Sequence, residues 1–169
     1  GGTLAVSGQV NADFKPTQLE VRVEASGLAP LVAAGVQPFL IGTRLDDITA
    51  GGAASAQVSW RDGVLQNLLA KFTGASFKTD KLGVALYGIA GELNWSPANA
   101  AVSKLQWQSG AAQRVPLGAS AISFRTQNKD FELLAPWHQP LLEGALNVEK
   151  LALQGMGSAQ PKADFAGAL

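Results

Sequence analysis

The stretch that decides the fold is residues 19–26, which read LEVRVEAS. Every odd position from Leu19 to Ala25 is apolar, and every even position from Glu20 to Ser26 is charged or carries a hydroxyl group. Because successive side chains of a β-strand point to opposite faces, this period of two predicts a strand with one apolar face and one polar face.

The same alternation recurs along most of the chain, and segments rich in glycine, proline and asparagine separate the runs. No stretch shows a sustained helical period. Residues 28–41 are apolar but contain two prolines and are too short to span a bilayer, so we expect only a short helical turn at 30–34. A further strand is predicted at 39–48. The fold class is therefore all-β, with about nine to eleven strands and at most short helical turns.

Glycines inside the predicted strands favour a sheet that curls. Glycine often marks a bulge or a tight bend in a strand, although it can also fill a small gap beneath a bulky neighbour. The phase of the apolar positions also changes between Val148 and Leu151, which predicts a bulge because a period of two otherwise keeps its phase. The glycines in question are Gly8, Gly74, Gly88, Gly91 and Gly144.

Composition excludes several classes of protein. The chain has 169 residues, of which 47% are hydrophobic and only 15% charged, and its 13 basic residues balance its 13 acidic ones. A nucleic-acid-binding protein needs a basic surface to displace counterions from phosphates, so we expect no nucleic-acid partner. The absence of cysteine excludes disulfides and thiolate metal sites, and it suits a compartment where free thiols would be oxidised.

The sequence contains no catalytic or metal-binding constellation. His138 is the only histidine, and it lies in a proline-flanked segment typical of a surface or packing position. Asp46 and Asp47 are adjacent, so their carboxylates would point apart on an extended chain, and a role in a turn or helix cap is expected instead. Neither glycine-bearing segment, 51–52 or 155–158, has the lysine and helix that a phosphate-binding loop requires. We predict no enzyme activity, no cofactor and no metal.

The apolar face is therefore the candidate functional site. It is either closed into an ordinary core or left open as a groove. Three of the four tryptophans (Trp60, Trp95 and Trp107) lie at apolar positions of alternating runs, which favours a core or groove over a sugar-binding platform. The residues predicted to line a groove are Val6, Val10, Leu19, Val21, Val23, Val58, Trp60, Leu68, Phe72, Tyr87, Ile89, Leu93, Trp95, Leu105, Trp107, Ile122, Phe124, Phe131, Leu133, Leu146 and Val148.

Three glycine-centred phrases carry a resemblance to a known family. They are the apolar positions of 68–75 with Gly74, residues 86–93 (LYGIAGEL) and residues 140–148 (PLLEGALNV). They resemble the recurring strand–glycine–strand phrases of the bacterial AsmA-like family of bridge-like lipid transport proteins. The resemblance extends loosely over residues 65–153, and it is a pattern of spacing and not a catalytic signature.

The resemblance implies a periplasmic location within a protein anchored in the inner membrane. It also implies phospholipid transport between the inner and outer bacterial membranes through a hydrophobic β-groove. Residues 1–169 would then be a single β-groove segment, in which long antiparallel strands curl into a repeating, taco-like groove. The segment would belong to a larger protein that contacts the membrane through other regions. The implied partners are phospholipid acyl chains, with a small outer-membrane lipoprotein or other envelope proteins as further candidates.

Physical chemistry supports the lipid interpretation independently. Burial of a methylene contributes about 0.8 kcal/mol, so a sixteen-carbon tail would gain on the order of 12 kcal/mol from full immersion. A uniformly apolar lining needs no specific residue, which fits the lack of a motif. The alternative is a closed β-sandwich that acts as a structural or binding module, because the same alternation would line its core.

Overall fold

The computed structural model describes residues 2–11, 16–33, 37–62, 64–155 and 160–168. Within these ranges, thirteen β-strands form one antiparallel sheet, and two four-residue helices lie between the second and third strands. The prediction of an all-β fold with only short helical turns is confirmed. None of the helices in the described ranges is long and apolar enough to cross a membrane.

The elements are β1 (Gly2–Val10), β2 (Pro16–Ala25), α1 (Leu28–Leu31), α2 (Gln37–Leu40), β3 (Thr49–Arg61), β4 (Val64–Thr79), β5 (Val84–Trp95), β6 (Ala101–Trp107), β7 (Ser109–Ala112), β8 (Val115–Leu117), β9 (Ser120–Gln127), β10 (Asp130–Leu133), β11 (Trp137–Leu141), β12 (Gly144–Gln154) and β13 (Lys162–Ala168).

The sheet is a meander in which each long strand pairs with the next one in the sequence. β6 and β7 both pair with β5, and β10 and β11 both pair with β12. Between them, β9 pairs with β6, and β8 pairs with β7. The pairs β6–β7, β8–β9 and β10–β11 therefore each form one long, interrupted strand. The thirteen described strands, with three pairs joined, make ten long strands, and β1 and β13 form the two edges.

The register brings the apolar positions of different strands onto one face. Directly opposed residues of an antiparallel pair lie on the same face of the sheet. Val6 opposes Val21, which opposes Val58, and Val58 opposes Leu68, which opposes Trp95. This row crosses five strands without a polar side chain. The alternation in the sequence therefore becomes a continuous apolar face.

Bulges shift the phase of two central strands. Gly74 in β4 has φ of 65° and Gly88 in β5 has φ of 66°, a region that glycine enters without steric cost. Each glycine lies where its strand contributes one extra residue to the β4–β5 ladder. The prediction of bulges is confirmed at these two glycines. It is wrong for Gly8 and Gly91, which lie in stretches of regular register, and for Gly144, which begins β12 opposite Leu141. After the bulges, Phe77 opposes Leu86 on the apolar face, and the ring of Phe77 meets that of Phe72 in a T-shaped contact at 5.7 Å.

The irregularities continue across the sheet along one line. Gln108 separates β6 from β7 and donates its backbone N–H to the carbonyl of Tyr87. The line then runs through the break at 118–119, the break at 134–136 and the register shift between Val148 and Lys150. That last shift confirms the bulge predicted between Val148 and Leu151. Because bulges bend and twist strands, a row of them curls the sheet.

The core lies on the concave side of this bend. Leu28 of α1 packs with Ala75, Ile89 and Trp107, each at most 9% exposed. α1 thus covers one end of the apolar face, where it lies near β3.

The segment 26–48 differs from the sequence-based expectation. The short helix lies at Leu28–Leu31, slightly before the predicted turn at 30–34, and residue 34 is outside the described part of the chain. The strand predicted at 39–48 is wrong. Residues Gln37–Leu40 are helical and turns follow, and the Thr43 hydroxyl donates to the carbonyl of Leu40 at 2.7 Å. Proline is well tolerated in the first turn of a helix, which is where Pro38 stands.

Candidate functional site: the apolar face of the sheet

The apolar face is the side of the sheet that carries the row from Val6 to Trp95, and further rows run parallel to it. Val23 and Leu93 belong to the neighbouring row, which Ala56 and Ala70 complete between them. All of the predicted lining residues except Val10 and Tyr87 lie on this face. In addition to those in the first two rows they are Leu19, Trp60, Phe72, Ile89, Leu105, Trp107, Ile122, Phe124, Phe131, Leu133, Leu146 and Val148.

Two phenylalanines extend the face towards the β13 edge. The rings of Phe124 and Phe131 stack with centroids 5.0 Å apart. Phe124 opposes Leu133 in β10, and Phe131 opposes Leu153 in β12. The aromatic surface therefore joins the strands on both sides of the interrupted strand β10–β11.

The concave bend contains a second aromatic pair. Trp107 and Trp137 meet in a T-shaped contact with ring centroids 6.2 Å apart. Trp137 opposes Val148, which is 3% exposed. The indole N–H of Trp137 donates to the Ser120 hydroxyl at 3.0 Å, so the rings are fixed by hydrogen bonding as well as by packing.

Gln139 is a polar residue buried within this apolar region. It is 2% exposed, and its amide nitrogen donates to the carbonyls of Gly118 and Pro140, both at 3.0 Å. Its amide oxygen accepts the indole N–H of Trp107 at 3.1 Å. Sequence reasoning did not single out Gln139, because nothing in the local alternation distinguishes it from an exposed polar residue.

The prediction that Tyr87 shares a face with Ile89 is wrong. Gly88 inserts one residue between them, so Leu86 faces the core and Tyr87 lies on the opposite face, 46% exposed. Phe77 was missed for the same reason, because Gly74 reverses the phase of β4. The signal in the sequence that could have found both residues was the glycines themselves, because a bulge at a glycine reverses the phase of the strand after it. Val10 opposes Pro16 at an irregular end of β1, and its side chain is outside the described part of the structure.

Much of the apolar face is accessible to solvent. The accessible surface is 10772 Å², whereas a compact monomer of 17.5 kDa exposes about 7,900 Å². No second sheet covers the face within the described ranges. Exposure is greatest at the two edges, where Leu4 is 67%, Val6 59% and Phe165 58% exposed. The described part of the chain is thus a curled single sheet and not two sheets packed face to face.

A pocket of about 460 Å³ lies where the face meets α1. Leu4, Val23, Ala25 and Pro30 contribute to its lining. Its volume is in the range of sites that hold small apolar ligands. α1 therefore does not fill the end of the face completely, because space remains between it and β1–β2.

Asp47 anchors residues 37–48 to the turn between β4 and β5. One carboxylate oxygen accepts the Thr79 hydroxyl at 2.7 Å, and the other accepts the backbone N–H of Lys81 at 2.8 Å. The bond from Thr79 is the main reason that the pKa of Asp47 lies below its ordinary value, with burial opposing and the backbone N–H of Lys81 assisting. Asp46 pairs with the Lys81 ammonium at 2.6 Å. The expected role in a turn, and not in a proton-sharing pair, agrees with this arrangement.

The polar groups elsewhere form ordinary surface contacts. His138 Nδ1 lies 2.6 Å from the Asn147 amide oxygen on the neighbouring strand, and both residues are exposed. Lys71 and Glu92 form an exposed ion pair at 3.5 Å. No group of three or more potential metal ligands occurs among the residues that the structure describes.

Comparison of the chain with protein-family models, with curated proteins and with solved structures finds no match. The physical character of the apolar face is therefore the basis on which function is argued.

Proposed function

We propose that this chain binds lipid acyl chains along its apolar face and serves as a segment of a phospholipid-conducting β-groove. The observation that carries the proposal is the row from Val6 to Trp95, which crosses five strands in register. Among the residues that the structure describes, no second sheet covers this face. A solvent-exposed apolar surface of this extent is a normal sign of a binding surface.

The energetics suit conduction better than tight, specific binding. A sixteen-carbon tail gains on the order of 12 kcal/mol when fully immersed, and somewhat less on a face open on one side. Neighbouring rows such as Val21–Val58 and Val23–Ala56 offer similar apolar surface, so a shift by one row changes little contact. Escape of the acyl chain into water, by contrast, loses all of its contact with the apolar face. Movement along the face is therefore favoured over dissociation.

The wider context of the proposal comes from the glycine-centred phrases. We place the chain in the AsmA-like family, nearest to YdbH-type proteins, as part of a periplasmic protein anchored in the inner membrane. In that setting the acyl chains would belong to phospholipids moving between the inner and outer membranes. A small outer-membrane lipoprotein or other envelope protein would be a partner at one end. The proposal includes no enzyme activity.

A structural or binding module without lipid is the second candidate. The cluster of Leu28, Ala75, Ile89 and Trp107 favours it, because this part of the face is buried by the chain itself. The two candidates differ in what occupies the remaining, uncovered part of the face, around Leu93 and Phe124.

The test is photocrosslinking to phospholipid in the native envelope and in detergent-free purified protein. A photoreactive phenylalanine analogue at Leu93 lies on the apolar face, and the matched control at Lys104 lies on the polar face of the adjacent strand. We expect mass spectrometry to detect phospholipid adducts at Leu93 and a background level at Lys104. Equal labelling at both positions, or no co-purified lipid and no binding of a fluorescent fatty acid, would favour the structural module.

A further inference from the structure

The helix α1 lies on the same surface that the proposed function assigns to acyl chains. Leu28 packs against Ala75, Ile89 and Trp107, and partly buried apolar side chains such as Phe77 surround this cluster. These residues belong to β4, β5 and β6, which continue into the part of the face that α1 leaves uncovered. A side chain of the insert between β2 and β3 therefore occupies the concave bend where an acyl chain would otherwise fit.

Apolar contact attaches α1 to the sheet. Leu28 and the C-cap residue Val32 lie one helical turn apart and are both 8% exposed, whereas Ala29 and Pro30 are exposed. Among the residues that the structure describes, no hydrogen bond or ion pair joins 27–33 to a strand. An isolated helical turn is unstable in water, because few hydrogen bonds offset the cost of nucleation. The position of α1 therefore depends on the burial of its apolar side chains in the bend.

The other end of the insert is held by polar bonds. Residues 37–48 are tied to the sheet where Asp47 accepts the Thr79 hydroxyl at 2.7 Å and the Lys81 N–H at 2.8 Å. Gly27 connects α1 to β2 and is exposed, and a pocket of about 460 Å³ lies beside the helix. The insert thus has one end fixed by hydrogen bonds and one end, α1, that has free space next to it.

We propose that α1 is a displaceable plug, in which Leu28 fills the concave bend until an acyl chain takes its place. The inference rests on the proposed function and deepens it, because it gives α1 control over access to the bend. Leucine and an acyl chain are both aliphatic, so their exchange keeps the bend covered by apolar groups. The fraction of molecules in which α1 is displaced then sets the apparent affinity of the bend for acyl chains.

A disulfide that locks α1 onto the face tests the plug. The chain lacks cysteine, so Leu28→Cys with Ala75→Cys introduces the only pair of thiols, at two residues that pack together. A photoreactive phenylalanine analogue replaces Phe77 to report on the bend, or Leu93 to report on the uncovered face. With short-chain phosphatidylcholine as the probe, we expect adducts at both positions in the reduced protein. Oxidation should lower the Phe77 adduct to background and leave the Leu93 adduct unchanged.

A second pair of variants tests the plug without a disulfide. Leu28→Ala should raise the ratio of Phe77 adducts to Leu93 adducts by up to about tenfold, because a plug that buries less apolar surface is displaced in more molecules. Leu69→Ala is the matched control. Leu69 lies opposite Asn94 on the polar face of β4 and is 41% exposed, so its truncation should leave the ratio unchanged.

Several results would overturn the plug while the proposed function stands. Adducts at Leu93 without any at Phe77 in the reduced protein would make α1 a fixed part of the core. Equal Phe77 adducts in the reduced and oxidised proteins would show that α1 does not block the bend. A ratio that stays constant or falls in Leu28→Ala would contradict displacement as well. Absence of adducts at both positions would exclude acyl-chain binding itself, and the plug with it.

Discussion

At the scale of single residues, Gln139 shows how an apolar region accommodates a polar side chain. Its amide group satisfies the Trp107 indole N–H and the carbonyls of Gly118 and Pro140, all within the bend. Buried polar groups that keep their hydrogen bonds fix the geometry of the apolar groups around them. Gln139 therefore holds Trp107 in place relative to β11.

Gln139→Leu is expected to lower the free energy of unfolding by about 1–3 kcal/mol, because it leaves buried donors and acceptors without partners. The measurement is urea unfolding followed by tryptophan fluorescence. Gln106→Leu is the control, since Gln106 is exposed on the polar face of β6 and should change stability by less than about 0.5 kcal/mol. Similar losses in the two variants would contradict the role assigned to Gln139.

Charges introduced on the apolar face should abolish function, whereas changes on the polar face should not. Leu93→Arg and Trp107→Glu are expected to eliminate complementation in a growth assay, because a charge on an apolar lining is poorly solvated. Substitution of Glu20, Lys104 or Gln106 should leave complementation unchanged. Circular dichroism is used to check that each variant folds. Equal loss from the two sets would exclude the apolar face as the functional site.

At the scale of elements, the line of bulges determines how the sheet curls. Gly74 and Gly88 each add one residue to a central strand, and together they turn Phe77 and Leu86 towards the core. Without these bulges the ladder would keep its phase and the sheet would be flatter. The bend is therefore encoded by the conformational freedom of a few positions.

Gly74→Ala is expected to destabilise the protein by about 1–2 kcal/mol. The reason is that the Cβ of an L-residue clashes with the backbone in the left-handed region, and Gly74 has φ of 65°. Gly27→Ala is a matched control. A Cβ has open space at both positions, but Gly27 has φ of −144°, which any residue adopts. Gly27→Ala should be close to neutral, because the lower entropy of the unfolded chain offsets the weaker preference of alanine for the N-cap position of α1. Thermal unfolding of the two variants compares them, and an equal effect would contradict the conformational explanation.

Acid should weaken the attachment of residues 37–48 through Asp47. The pKa of Asp47 is lower in the folded protein than its ordinary value of 3.8, because it accepts the Thr79 hydroxyl and the Lys81 N–H. Its stabilising effect is therefore present above pH 3.8 and is lost as the pH falls through the folded-state pKa.

The measurement is the urea midpoint of wild type and Asp47→Asn between pH 6 and about pH 2.5. The difference between the two proteins should be largest near neutral pH and should shrink in acid. Thr79→Val should behave like Asp47→Asn. A difference that is constant with pH would show that the Asp47 carboxylate does not contribute through its charge.

At the scale of the whole molecule, the chain presents apolar surface that it does not bury itself. The accessible surface of 10772 Å² exceeds the value of about 7,900 Å² for a compact protein of this mass. A ligand that binds this surface only in the folded state stabilises the fold by mass action.

Addition of short-chain phosphatidylcholine below its critical micelle concentration is expected to raise the melting temperature. At a ligand concentration of 100 Kd the stabilisation is about 2.7 kcal/mol, which corresponds to a shift of roughly 5–10 °C for a chain of this size. Leu93→Arg should show a much smaller shift. The absence of any shift in the wild-type protein would argue against acyl-chain binding.

The local alternation by itself determined the all-β fold and most of the apolar face. Residues such as Val21, Val58 and Leu93 were assigned to the correct face because the period of two is a property of each strand alone. The bulge after Val148 was also predictable, since a change of phase is visible in the sequence.

Only the tertiary structure decided the rest. The inward positions of Phe77 and Leu86, the outward position of Tyr87 and the helical segment Gln37–Leu40 depend on bulges and on contacts between distant strands. The burial of Gln139 likewise arises where β11 meets Trp107. Whether two sheets pack together or one sheet curls is a question of pairing across the whole chain, and a local pattern of alternation is the same in both.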